Sequence, residues 1–100
     1  MSTTPRRWPY TPESPKDPDA TLDYQIDWSD WLGDGETLAS VTWIITGATS
    51  DSETNTDTAA TIWLSGGTVG EPISATCRVT TTSVPARIDD RTLLIEVKER

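Results

Sequence analysis

Apolar residues recur at every second position along several short stretches of the chain, with Gly, Pro, Asp and Ser gathered between them. From Asp23 to Trp28, Tyr24, Ile26 and Trp28 fall on one side while Asp23, Gln25 and Asp27 fall on the other. Alternation of this kind marks a strand with one buried and one wet face. Ser29 to Glu36 carries the punctuation: Asp30, Gly33, Asp34 and Gly35 suit the dihedrals of a turn, and Trp31 and Leu32 can fold back over the core edge. Strand grammar resumes over Leu38 to Thr46, where Ala39, Val41, Trp43 and Ile45 share a face. Gly47 to Thr58 is polar and reads as a loop or a ragged edge strand.

The alternation returns at Ala60, Ile62 and Leu64, which interleave with Thr61, Trp63 and Ser65 until Gly66 and Gly67 stop the strand. A long strand from Ile73 to Thr82 follows, then a connection over Ser83 to Asp90 around Pro85, then a last strand from Arg91 to Glu99 with Leu93, Ile95 and Val97 inward. No helical period interrupts this series. Five clear strands and up to two weaker ones at short spacing predict an all-β chain, an immunoglobulin-like antiparallel β-sandwich. Threonine is stiff at its first torsion and suits a pleated surface, so runs such as Val79 to Thr82 reinforce the strand reading.

Met1 to Pro18 departs from the pattern. Pro5, Pro9, Pro12, Pro15 and Pro18 recur every three or four residues, which removes backbone donors and favours extended geometry. The expected division is an extended Pro-rich N-terminal arm over 1–18 and the sandwich over 19–100. The arm reads either as a loose tail or as an anchor that lies on a neighbouring subunit. Arg6, Arg7, Trp8 and Tyr10 supply the cationic and aromatic chemistry of contact hot spots for the second case.

Composition narrows the chemistry. With 100 residues, 34% apolar content and no phenylalanine, the chain forms one thin core in which five Trp carry much of the buried area. Eleven acids and no Lys or Arg lie from Asp17 to Glu71, and the basic residues sit at the two ends. The net charge of −8 leaves no basic patch to neutralise phosphate, so nucleic acid is not an expected partner. No apolar run follows Arg6 and Arg7 to make a secretory signal, and no stretch is long and apolar enough to span a membrane. The single Cys77 has no disulfide partner within the chain and shares a face with Ile73, Ala75 and Val79, as an inert core thiol would.

Catalysis finds no support. Histidine is absent, and Ser65 before Gly66 lacks the flanking pattern of a nucleophile elbow. Asp27, Asp30 and Asp34 stand where turns need acceptors for backbone N–H groups, and Asp89 and Asp90 precede an ion-pair candidate in Arg91. Asp27, Asp30, Asp34 and Glu36 offer hard oxygens in one loop, but their spacing is not that of an EF-hand, and no metal or cofactor is expected. Trp28 and Trp43 stand at inward phase and belong to the core. Trp31 and Trp63 are out of phase, and each reads as an edge cover or as a contact for a protein or a sugar ring.

In order, AspTrpSerAspTrpLeu at Asp27 to Leu32, ThrLeuAlaSerValThrTrp at Thr37 to Trp43, TrpLeuSerGlyGly at Trp63 to Gly67 and AspAspArgThr at Asp89 to Thr92 resemble a family of small tailed-bacteriophage virion proteins, the phage fiber-tail adaptor proteins. The resemblance covers Asp17 to about Glu99 and omits the Pro-rich arm. It implies a non-enzymatic β-sandwich made in the bacterial cytoplasm and built into the virion. There, several copies link tail fibres to the tail or head-tail machinery through other virion proteins. A carbohydrate-binding or host-adhesion module, and a capsid decoration or head-completion protein, are the alternatives. The expected contact residues are Arg6, Arg7, Trp8, Tyr10, Trp31 and Trp63.

Overall fold

The computed structural model describes residues 8–12 and 14–99, so Arg6 and Arg7 lie outside the described residues. Among the described residues the chain forms six strands: β1 (Leu22–Asp27), β2 (Leu38–Thr46), β3 (Thr49–Asn55), β4 (Ala59–Ser65), β5 (Ile73–Thr81) and β6 (Ile88–Ile95). They form two three-stranded sheets ordered β1-β4-β3 and β2-β5-β6, with every neighbouring pair antiparallel.

The inward positions of both sheets merge into one core. Ile26, Ala60, Ile62 and Leu64 of the first sheet meet Ile73, Ala75, Cys77, Val79 and Ile95 of the second, all fully buried. Each large aliphatic side chain among them contributes roughly 1.5–3 kcal/mol through removal from water. Trp28 and Trp43 are core residues as their phase predicts, while Tyr24 and Val41 are half-buried at its margin. Cys77 is buried, and desolvation pushes its thiol up to about 12, so it remains protonated and unreactive at neutral pH.

Two details depart from the periodic reading, and a third decides between its alternatives for Gly47 to Thr58 in favour of the edge strand. In β2 the inward residue is Leu38, and Ala39 is exposed, because a bulge between Leu38 and Ser40 shifts the register against β5. The polar stretch after Gly47 is a full strand: β3 carries almost no buried side chain, and its pairing with β4 fixes it. The last strand starts earlier and ends sooner than Arg91 to Glu99, running over Ile88–Ile95; Val97 is nonetheless buried beyond its end.

Tyr10 and Lys16 lie against the outer edge of β6 as two isolated parallel bridges, to Leu93 and Val97. Tyr10 N–H donates to Thr92 O at 2.8 Å and Leu94 N–H to Tyr10 O at 2.9 Å; Lys16 N–H donates to Glu96 O at 2.8 Å and Lys98 N–H to Lys16 O at 2.9 Å. This segment therefore covers an edge that would otherwise offer free backbone groups. The Lys16 side chain is fully buried, and its ammonium donates to Gly66 O at 2.7 Å and Asp17 O at 2.9 Å. Desolvation lowers its pKa, and the carboxylates of Asp17, Asp19 and Asp51 oppose the shift. Gly67 beside it has φ +117°, and a Cβ there would come within 3.1 Å of Val97 Cγ2, so any side chain at this position is strained.

Lys16→Ala is expected to release this segment without unfolding the sheets. Hydrogen exchange should then accelerate at the Leu94 and Lys98 amides, which donate to it, while amides of the β5–β6 ladder keep their protection. Unchanged exchange at both amides would contradict the pinning role.

Candidate binding surfaces

The connection between β1 and β2 is built by local acceptors and then clamped from afar. Asp27 Oδ1 takes the Ser29 N–H at 2.9 Å, and Trp28 O receives both Trp31 N–H at 2.9 Å and Leu32 N–H at 3.1 Å. Gly35 closes the turn at φ +73°. Trp28, fully buried, anchors the start of the loop and packs edge-on against Trp31 at 5.2 Å between centroids.

Two arginines hold this loop to the opposite sheet. Arg91 of β6 reaches across to donate to Asp27 O at 3.1 Å and Asp30 Oδ1 at 3.2 Å, with its guanidinium carbon 4.3 Å from the centre of the Trp28 ring. Arg87, in the β5–β6 connection, lies 4.1 Å above Trp31, donates to Trp31 O at 3.0 Å, and forms a two-pronged pair with Glu36 through Nε and Nη2. Glu36 also accepts the Gly33 N–H at 2.9 Å. Each arginine thus satisfies one tryptophan face and one carboxylate together.

The ion-pair expectation for Arg91 requires correction. Its partner is Asp30, not Asp89 or Asp90, because Arg91 is at inward phase whereas Asp90 faces outward and pairs with Arg78 across the ladder at 2.9 Å. Of the four acids considered for calcium, Asp27 serves the loop backbone, and Asp30 and Glu36 serve the two arginines.

The Arg87 hydrogen bond, helped by the Gly33 amide, holds the Glu36 carboxyl far below the usual carboxylate range, and Arg78 lowers Asp90. Both groups favour ionisation in the folded state. Their contribution is complete above the ordinary carboxylate values and is lost as the pH falls through the depressed folded values. A melting series from pH 7 to pH 2 should therefore show destabilisation below about pH 4, and Glu36→Gln should flatten that acid limb. An unaltered acid limb in the variant would contradict the assignment.

The expected contact residues separate into two places. Trp8 is half-buried, with the Arg91 guanidinium 5.2 Å from its ring centre and Tyr10 at 5.8 Å. Trp8, Asp27, Asp30 and Arg91 line a cleft of about 250 Å³. Trp31 and Tyr10 are likewise half-buried and pack against the core. Trp63 stands apart on the outer face of the first sheet, 41% exposed, between Asp23 of β1 and Ser52 of β3. The roles of Arg87, Arg91 and Lys16 carry no signal in their own neighbourhood of the chain, since their contacts bridge some fifty to sixty-four positions.

The stretches singled out in the sequence converge in this geometry. AspTrpSerAspTrpLeu and AspAspArgThr meet through Arg91, and TrpLeuSerGlyGly supplies both the exposed Trp63 and the Gly66 carbonyl that receives Lys16. A family model described as podophage GP4 fiber-tail adaptor protein gp77 matches residues 16–96, from the pinned Lys16 to the end of the last strand region. No curated protein matches the chain.

Proposed function

The chain belongs to the podophage GP4 fiber-tail adaptor family, a family of structural virion proteins, and we propose that it attaches tail fibres to the tail or head-tail machinery without performing catalysis. The family match over residues 16–96 carries this reading, since it spans both sheets and all the clamped motifs. Several copies made in the bacterial cytoplasm and arranged symmetrically multiply a modest contact into a firm attachment.

An immunoglobulin-like arrangement supports the same reading. The orders β1-β4-β3 and β2-β5-β6 correspond to the B-E-D and C-F-G sheets of that fold, with Tyr10 and Lys16 in place of a first strand. Trp43 on the second strand lies opposite Cys77, where that fold places its core tryptophan near a cysteine. In this scheme residues 1–18 form an arm whose Tyr10 and Lys16 lie along the edge of the sandwich of residues 19–100, and Arg6, Arg7 and the solvent-facing parts of Trp8 and Tyr10 extend its contacts to a neighbour.

A phage lacking this protein is expected to assemble particles without fibres, and purified protein added to them should restore fibre attachment. Fibres attached at normal occupancy in its absence would overturn the proposal. Restoration by a chain lacking residues 1–15 would remove the arm from the contact while leaving the adaptor role intact.

A further inference from the structure

Among the described residues there are two filled arginine–tryptophan–carboxylate triads and one tryptophan–carboxylate group without a cation. Arg91 completes Trp28 with Asp30, and Arg87 completes Trp31 with Glu36. On the outer face of the first sheet, Trp63 stands directly across from Asp23 on β1. On its other side a bulge between Ser50 and Ser52 in β3 accompanies Asp51, whose Oδ1 accepts the hydroxyl of Ser65, two residues along from Trp63. Direct cross-strand pairing puts Asp23 beside the indole, and the Ser65 bond ties Asp51 to the same strand as Trp63. Neither Asp23 nor Asp51 forms an ion pair among the described residues.

No cation from this sheet can complete the set. Strands β1, β3 and β4 lie wholly within the stretch from Asp17 to Glu71 that contains no Lys or Arg. Lys16, which precedes it, is buried and committed to backbone carbonyls. An exposed indole with Asp23 on one side, unpaired among the described residues, and Asp51 on the other, which acts on the buried Lys16 only at longer range, attracts a guanidinium: the ring face takes the cation, and a carboxylate takes its paired N–H donors.

We propose that the outer face of the β1-β4-β3 sheet is the docking surface for an arginine-bearing polypeptide segment of a partner virion protein, with the partner's guanidinium seated on Trp63 between Asp23 and Asp51. The inference deepens the adaptor reading, on which it rests for the existence of a partner. Charge complementarity decides the occupant, since the face presents acids and hydroxyls around one aromatic ring and no base.

The test uses the full chain and three synthetic decapeptides identical except for arginine, lysine or citrulline at four positions, titrated at low salt and followed through the indole N–H resonances. The arginine peptide should shift the Trp63 indole and the amides of Asp23 and Asp51, bind more tightly than the lysine peptide, and leave the citrulline peptide unbound. Trp63→Ala and Asp23→Asn should each weaken binding by about tenfold, while Glu71→Gln, which removes the same charge elsewhere, should change it little. Equal weakening by Glu71→Gln, equal binding of citrulline, shifts centred on other residues, or a Trp63-dependent glycan signal on an array would overturn the proposal. Because fibre restoration on particles is measured separately, failure here leaves the adaptor role standing, and failure there leaves the peptide site standing.

Discussion

Trp28→Ala is expected to lower the unfolding free energy by about 4 kcal/mol, within the range for removing a large buried aromatic side chain. Trp28 is fully buried and serves three partners together: the core, the edge of Trp31 and the guanidinium of Arg91. For a domain of this size such a loss lowers Tm by roughly 20 °C, and it removes a large share of the 5–15 kcal/mol that small domains possess. Trp28→Phe should cost much less, because an aromatic ring still fills most of the site and keeps a face for Arg91. Thermal and urea melts of both variants check this, and a Trp28→Ala protein that melts within a few degrees of the parent would contradict the placement of Trp28 at the centre of the clamp.

Arg91→Met is expected to cost about 3 kcal/mol, from the loss of charge-assisted bonds to Asp27 O and Asp30 together with the face contact on Trp28. Asp30 is itself largely exposed and regains water, so the loss stays below that of stranding a buried carboxylate. Arg91→Lys should recover little, since an ammonium cannot stack flat on the indole while reaching two acceptors. Combined with Trp28→Phe, the arginine substitution should show coupling of about 1 kcal/mol in a double-mutant cycle. Additive losses would show that the two side chains stabilise the fold independently.

These two substitutions define what the loop between β1 and β2 does. AspTrpSerAspTrpLeu looks on paper like a contact surface rich in acid and tryptophan, but most of it is consumed internally: Trp28 by the core, Asp30 by Arg91 and the Trp31 ring by Arg87. Trp63, in the middle of an otherwise ordinary strand, has its ring open to solvent. The residues of this stretch therefore hold the loop in place against the second sheet, and the exposed indole of Trp63 is what the scaffold presents.

The strands were legible because period two survives wherever one face is buried. Ile26, Ile62, Leu64, Ile73, Val79, Leu93 and Ile95 all occupy the side their phase requires. Ala39 escaped the rule because a bulge adds a residue that no local pattern announces, and β3 because an edge strand without a buried face has only its partner to define it. The arginines escaped for another reason. A guanidinium that meets an aspartate 61 positions away is selected by the packing of two sheets, and its neighbours in sequence point elsewhere, as Asp90 does toward Arg78. Charge segregation did give the larger clue, since a first sheet built from a stretch without Lys or Arg must find its cations in the second sheet or in another molecule.

Electron microscopy of the intact phage particle is the decisive experiment. Density for this two-sheet domain is expected at the junction between tail and fibre, repeated by the symmetry of the tail, with the β1-β4-β3 face turned toward a neighbouring protein. Density for the domain on the capsid surface, or a tail–fibre junction fully built from other chains, would contradict it.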